Sequence, residues 1–183
     1  PCGRAMAVGA ARRGEGRFGG GGAGASSKTL TALANEAFRA GDSASAEELY
    51  SAAIDEGPTA LLLSNRAAAR LRLGRLGDSL GDCEAALILD PGYGKAYKNR
   101  AAVRRQRGDL EGACDDLHEA IRLLGRKGGT AKAHKAAEAA GRELQAVQFE
   151  MQQRWAAWHA AQEEEAARGT ARSQSDGVQQ GQR

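Results

Sequence analysis

The chain is short of aromatics. Phe, Tyr and Trp together make up 4% of its 183 residues, low for a large globular core. It has three cysteines, an odd number that builds no disulfide framework. Cys83 and Cys114 sit in helical patterns, which suits a reducing compartment and a cytoplasmic location. No run of 18 apolar residues occurs, which argues against a transmembrane helix. The net charge of +3 is too small to argue for a nucleic-acid partner by itself. Enzyme motifs are missing too: there is no phosphate-cradling glycine loop ahead of a lysine and serine, no GxSxG and no HExxH. Cys114 and His118 are spaced i,i+4, but two ligands alone do not make a zinc site. His134 and His159 have no acid or nucleophile constellation, and Glu163–Glu165 reads as a solvated helix face. The expectation is therefore a protein with no enzymatic activity, no cofactor and no metal.

What the chain does have is a unit that repeats. In Leu61–Pro91, Leu61, Leu62, Leu63, Ala67, Leu71 and Leu73 give one helix an apolar stripe. Leu76, Leu80, Cys83, Ala86 and Leu87 give a second helix the same, beyond a break at Gly74. Pro91 closes the unit, because proline cannot continue a helix. Neither helix can hide its stripe alone. The small residue early in the second helix recurs as Ala46, Ser79 and Ala113, advancing by 33 and then 34 positions. One turn on come Tyr50, Cys83 and Leu117, then Ala53, Ala86 and Ala120, then Ile54, Leu87 and Ile121. The breaks recur at Gly41-Asp42, Gly74-Arg75 and Gly108-Asp109, and Pro58 and Pro91 follow the first two units.

A period near 34 with helix–turn–helix content resembles the tetratricopeptide (TPR) family. The resemblance covers Ser27–Leu124, a little over half the chain, and implies an all-α fold. Three helical hairpins (27–57, 60–91 and 94–124) stack as an α-solenoid, in which small residues allow close approach and larger ones fill the groove to the next hairpin. Arg70 and Arg104 stand where the family usually has an aromatic, and Gly125 stands where a proline normally follows. Gly77, Gly81 and Gly112 lie inside second helices, each costing up to about 1 kcal/mol relative to alanine. These departures predict an array less stable than the family norm.

Flanking the array, residues 1–26 are Gly/Ala/Arg-rich with Glu15 as the one acid, and cannot bury enough surface to offset ordering entropy. They read as a disordered tail, with organellar targeting and an RNA-binding arm through Arg17-Phe18-Gly19-Gly20 as competing readings. Helices are expected at 28–40, 43–56, 59–73, 77–89, 93–107 and 110–123, with Asp42 or Ser43 and Asp109 as caps. After Gly125–Gly129, residues 130–168 predict a long amphipathic helix on Leu144, Val147, Met151, Trp155 and Trp158. It caps the open end of the array, projects past it to a partner or a second copy, or does both. Residues 169–183 read as a disordered tail.

Function then falls to the surface of the array. In TPR superhelices the first helix of each hairpin lines the concave face. Helical spacing places there Lys28, Asn35, Arg39, Asn65, Arg72, Lys95, Lys98, Asn99 and Arg105, a set with six cations and no carboxylate. Such a groove suits an extended acidic peptide, especially a terminal carboxylate. The local wording Ala34-Asn35-Glu36-Ala37-Phe38, Ser64-Asn65-Arg66-Ala67-Ala68 and Gly94-Lys95-Ala96-Tyr97 is similar to that of carboxylate-clamp TPR co-chaperones. That resemblance implies a protein partner with an acidic C-terminus, such as a cytosolic heat-shock chaperone. It puts Asn35, Asn65 and Lys95 on three of five clamp positions. At the other two, Thr31 replaces a lysine and Asn99 an arginine, whose bidentate fork asparagine does not reproduce. Lys28 and either Lys98 or Arg100 are the neighbours placed to compensate. The leading expectation is a co-chaperone-like adaptor. The alternative is a structural subunit that assembles through the array and the last helix.

Overall fold

A computed structural model describes residues 26–126 and 129–180, with side chains as far as 168. The expected tail over 1–26, with its targeting and RNA readings, lies outside the described residues except for Ser26, and so do 181–183. The described residues form seven helices and no strand: α1 (Ser27–Ala40), α2 (Ser43–Glu56), α3 (Ala60–Arg72), α4 (Leu76–Leu89), α5 (Gly94–Gln106), α6 (Leu110–Leu124) and α7 (Ala131–Gln180). Consecutive helices pair as three hairpins, and α7 closes the stack. The fold is a TPR-type solenoid with a long C-terminal capping helix.

Local chemistry sets the breaks. Gly41, Gly74 and Gly108 have φ of 93°, 75° and 85°, a left-handed conformation that lets each first helix stop and reverse. Two following helices are capped by carboxylates: Asp42 accepts from Ser45 N at 3.0 Å and Asp109 from Gly112 N at 2.9 Å. At Arg75, which precedes α4, no side chain caps the helix. Gly112 is held by packing, since a Cβ there would collide with the Asp109 cap. Gly77 and Gly81 have open space where a Cβ would stand, so they weaken α4 with no gain in packing.

The hairpins close on small residues. Ala34, Ala67 and Ala101 of the first helices are 0–1% exposed, as are Ala46, Ser79 and Ala113 of the second. Ala53, Ala86 and Ala120 are fully buried as well. The Ser79 hydroxyl is satisfied by donating to Ala67 O at 2.7 Å. Between these columns, Tyr50, Cys83 and Leu117 fill the interior. Burial pushes the Cys83 thiol up to about 12, so it stays protonated and inert.

Arg70 and Arg104, at the positions where the family usually has an aromatic, carry ion pairs. Asp82 is 5% exposed and accepts from Arg66 Nε at 2.9 Å, Arg66 Nη2 at 2.8 Å and Arg70 Nη1 at 2.9 Å. One repeat on, Asp116 is 2% exposed and receives Arg100 Nε at 3.0 Å, Arg100 Nη2 at 2.7 Å and Arg104 Nη1 at 2.9 Å. The hydrogen bond to Asp82 raises the Arg66 pKa above its ordinary value, and the bond to Asp116 does the same for Arg100.

Helix α7 covers the last hairpin with Ala140, Leu144 and Val147, backed by Met151 against Cys114 at 3.7 Å between sulfurs. From 152 to 168 its side chains are almost all exposed, including Trp155 at 66% and Trp158 at 58%. The helix thus both caps and projects. α7 is described as far as Gln180, past the end expected at 168 and into residues 169–180, which the sequence reads as a tail.

The buried aspartates make a testable case. Asp116→Ala leaves Arg100 without its buried counter-charge and leaves Arg104 only the longer pair with Asp109 at 3.7 Å, and is expected to lower stability by about 3 kcal/mol in urea unfolding. That is the low end for a broken buried pair, because Arg100 and Arg104 keep 19% and 28% of their side chains in solvent.

Candidate functional site

The leading helices α1, α3 and α5 share one side of the stack, and their exposed faces frame a groove of about 460 Å³. Thr31, Asn35, Phe38 and Arg39 come from α1, Leu61 and Asn65 from α3, and Lys95 from α5. Lys132, at the start of α7, completes the lining, and no described carboxylate is part of it. Each polar residue sits beside a buried one: Asn35 follows Ala34, Asn65 follows Ser64 and Lys95 precedes Ala96. Packing of the small residue therefore aims its neighbour at the groove.

The two amides are held in place. The Tyr50 hydroxyl donates to Asn35 Oδ1 at 2.8 Å, and Asn65 Nδ2 reaches the same oxygen at 3.4 Å. With its oxygen engaged, Asn35 presents its Nδ2 hydrogens as donors for an incoming acceptor. Tyr50 is 1% exposed, and burial raises its phenol pKa, so it remains the donor at all ordinary pH. Arg39 stays at the rim with its Nε on Asn35 O at 3.1 Å, which leaves its terminal nitrogens toward solvent.

No protein-family model matches the chain. Sperm-associated antigen 1 of Mus musculus is 40% identical over 89 residues, which is 49% of this chain and 10% of that protein. The chain thus spans a small part of that curated relative. The solved Sgt2 TPR domain from Aspergillus fumigatus is 27% identical with a TM-score of 0.54, over 70% of this chain and 88% of that one. The second TPR of Spaghetti (RPAP3), solved with the HSP90 peptide SRMEEVD, is 31% identical with a TM-score of 0.51, over 53% of this chain and 85% of that one. The chain belongs to the tetratricopeptide-repeat family.

In this TPR array the residues expected at the site divide into two groups. Asn35, Asn65, Lys95 and Arg39 share the groove. The other five lie elsewhere or are engaged. Lys28 is exposed on the first turn of α1, outside the lining. Arg72 stacks on Phe38, 3.7 Å from the ring centroid, and donates to Phe38 O at 2.9 Å, tying α3 to α1. Asn99 spends its Nδ2 on Ser64 O at 2.8 Å and Ser64 Oγ at 3.0 Å. Lys98 pairs with Glu143 at 2.9 Å and Arg105 with Glu150 at 3.0 Å, both acids belonging to α7. The cationic face of the array is therefore open near α1 and α3, and neutralised by the cap near the end of α5.

Two contributors escaped the reading of the sequence. Tyr50 stands in a packing column of the sequence. Its one polar atom in a column otherwise made of Cys83 and Leu117 was the signal for a second role. Lys132 lies outside the repeat period, so no column pointed to it. Among the described residues no cluster of three potential metal ligands occurs, and no helix is long and apolar enough to cross a membrane.

The groove perturbs Lys95. Its side chain keeps one side in solvent, yet desolvation by the groove walls, and then repulsion from Lys132, hold its pKa below the ordinary 10.5. A lysine whose pKa is lower in the folded than in the unfolded chain opposes folding while it is charged. That cost is full at neutral pH and fades as pH rises through the lowered pKa toward the unfolded value. Lys95→Met is therefore expected to raise the melting temperature at pH 7, with the gain shrinking in scans run at alkaline pH. A gain that grows with pH would contradict this.

Proposed function

We propose that this protein is a peptide-binding TPR adaptor of the co-chaperone type, which holds an acidic C-terminal peptide in the groove of α1, α3 and α5. The observation that carries the reading is the convergence of Asn35, Asn65 and Lys95 in one acid-free groove, with Arg39 at its rim. Fixed amide donors and a cation are the groups that recognise a carboxylate. The Phe38 and Leu61 walls offer apolar contact for the side chains between the acids. Support also comes from the second TPR of Spaghetti (RPAP3), which was solved with the HSP90 peptide SRMEEVD. A cytosolic heat-shock chaperone tail is the partner this reading favours. With Asn99 engaged and Thr31 donating its hydroxyl to Ser27 O at 2.6 Å, the clamp is incomplete and binds more weakly than a full set of five.

Calorimetry with SRMEEVD tests the reading. Amidation of the peptide C-terminus, Asn65→Ala and Lys95→Ala are each expected to weaken binding about tenfold or more, the loss of one charge-assisted contact. Equal binding of the free and amidated peptides would remove the clamp.

A second reading, assembly into a larger complex, is favoured by the exposed Trp155 and Trp158 on the projecting part of α7. A Trp155→Ala/Trp158→Ala double variant should then shift to a smaller species in sedimentation velocity. An unchanged sedimentation coefficient rules self-assembly through this helix out.

A further inference from the structure

The structure assigns to Lys132, at the foot of the capping helix, the role of a second lysine that grips an acidic peptide terminus together with Lys95. The inference rests on the peptide-binding reading and adds to it a residue from outside the repeats. Both positions at which the array departs from the clamp pattern are closed to that role. Thr31 has its hydroxyl on its own helix, and Asn99 is tied to Ser64. The neighbouring candidates are withdrawn as well: Lys28 stands outside the lining, Lys98 is paired with Glu143, and Arg100 is locked on buried Asp116. Lys132 instead lines the same groove as Asn35, Asn65 and Lys95.

Its placement runs against local electrostatics in two ways. Lys132 is the second residue of α7, where the helix dipole disfavours a positive charge, and no acid in the first turn offsets it. It also stands close enough to Lys95 to depress that lysine's pKa. An anion between the two lysines relieves both repulsions at once. The terminal aspartate of an acidic peptide, with its main-chain and side-chain carboxylates, offers two negative groups to the pair. The inference therefore specifies a ligand whose last residue is itself acidic.

The experiment uses the full chain with SRMEEVD and with a variant of that peptide ending in asparagine. Lys132→Ala is expected to weaken SRMEEVD about three- to tenfold, the range for one partly solvated charge contact. Lys132→Arg should retain the affinity, and Lys132→Ala should bind the two peptides nearly alike. A second readout needs no peptide: Lys132→Gln should raise the Lys95 pKa toward 10.5 in an NMR titration of its side chain. Full affinity in Lys132→Ala, alongside weakened Lys95→Ala, overturns the role of Lys132 and leaves the groove reading standing. An unmoved Lys95 pKa overturns the lysine pair whether or not SRMEEVD binds. Indifference of binding to amidation and to Asn65→Ala and Lys95→Ala overturns the groove reading itself.

Discussion

The structure depends on how closely its helices can approach. Nine positions that recur once per hairpin are alanine or serine and are essentially without solvent contact. A larger side chain at any of them would push two helices apart, and interiors packed to crystal density do not absorb such a change locally. Because each hairpin contacts only its neighbours, the spacing set at Ala34, Ala67 and Ala101 also fixes the distance between Asn35, Asn65 and the start of α5, where Lys95 stands. The groove is in this sense a by-product of alanine packing: residues beside a buried methyl group have nowhere else to point.

The same small side chains leave little apolar area to hold the stack together, and the aromatics that could supply it are few. The chain places arginine and aspartate in the gap. Arg66 and Arg70 on Asp82, and Arg100 and Arg104 on Asp116, link the two helices of a hairpin through planar, directed bonds. Arg70 and Arg75 also reach Glu47 of the preceding hairpin at 2.8 Å, so the network runs between repeats. Buried ion pairs add little net stability over apolar packing but penalise any misregistered arrangement severely. A three-repeat array with a weak apolar core gains registration from them.

Most of the fold could be read from residue spacing, because close approach demands small residues and those recur at 33 and 34 positions. The leading-helix face was legible for the same reason, which is why Asn35, Asn65, Lys95 and Arg39 meet. The arginine–aspartate ladder also repeats, at 66 and 100, 70 and 104, 82 and 116. Hydropathy does not count charged residues as interior, so the period passed unseen. The fates of Lys98 and Arg105 depended on where α7 lies, which no repeat column specifies. Yet Lys98 and Arg105 are seven apart, as are Glu143 and Glu150. Matching spacings of opposite charge on two helices were the available clue.

The capping helix touches the cations of the array at two places. Its first turn contributes Lys132, and its middle cancels Lys98 and Arg105 through Glu143 and Glu150. If the groove holds an acidic peptide as proposed, seating of this helix and occupancy of the groove are linked quantities, and the linkage is reciprocal. An anion that bridges Lys95 and Lys132 tightens the seat. One that competes for Lys98 and Arg105 loosens it, and with it the direction in which Trp155 and Trp158 are presented. On the proposed reading, a single length of helix connects a ligand in the groove of α1, α3 and α5 with whatever meets Trp155 and Trp158.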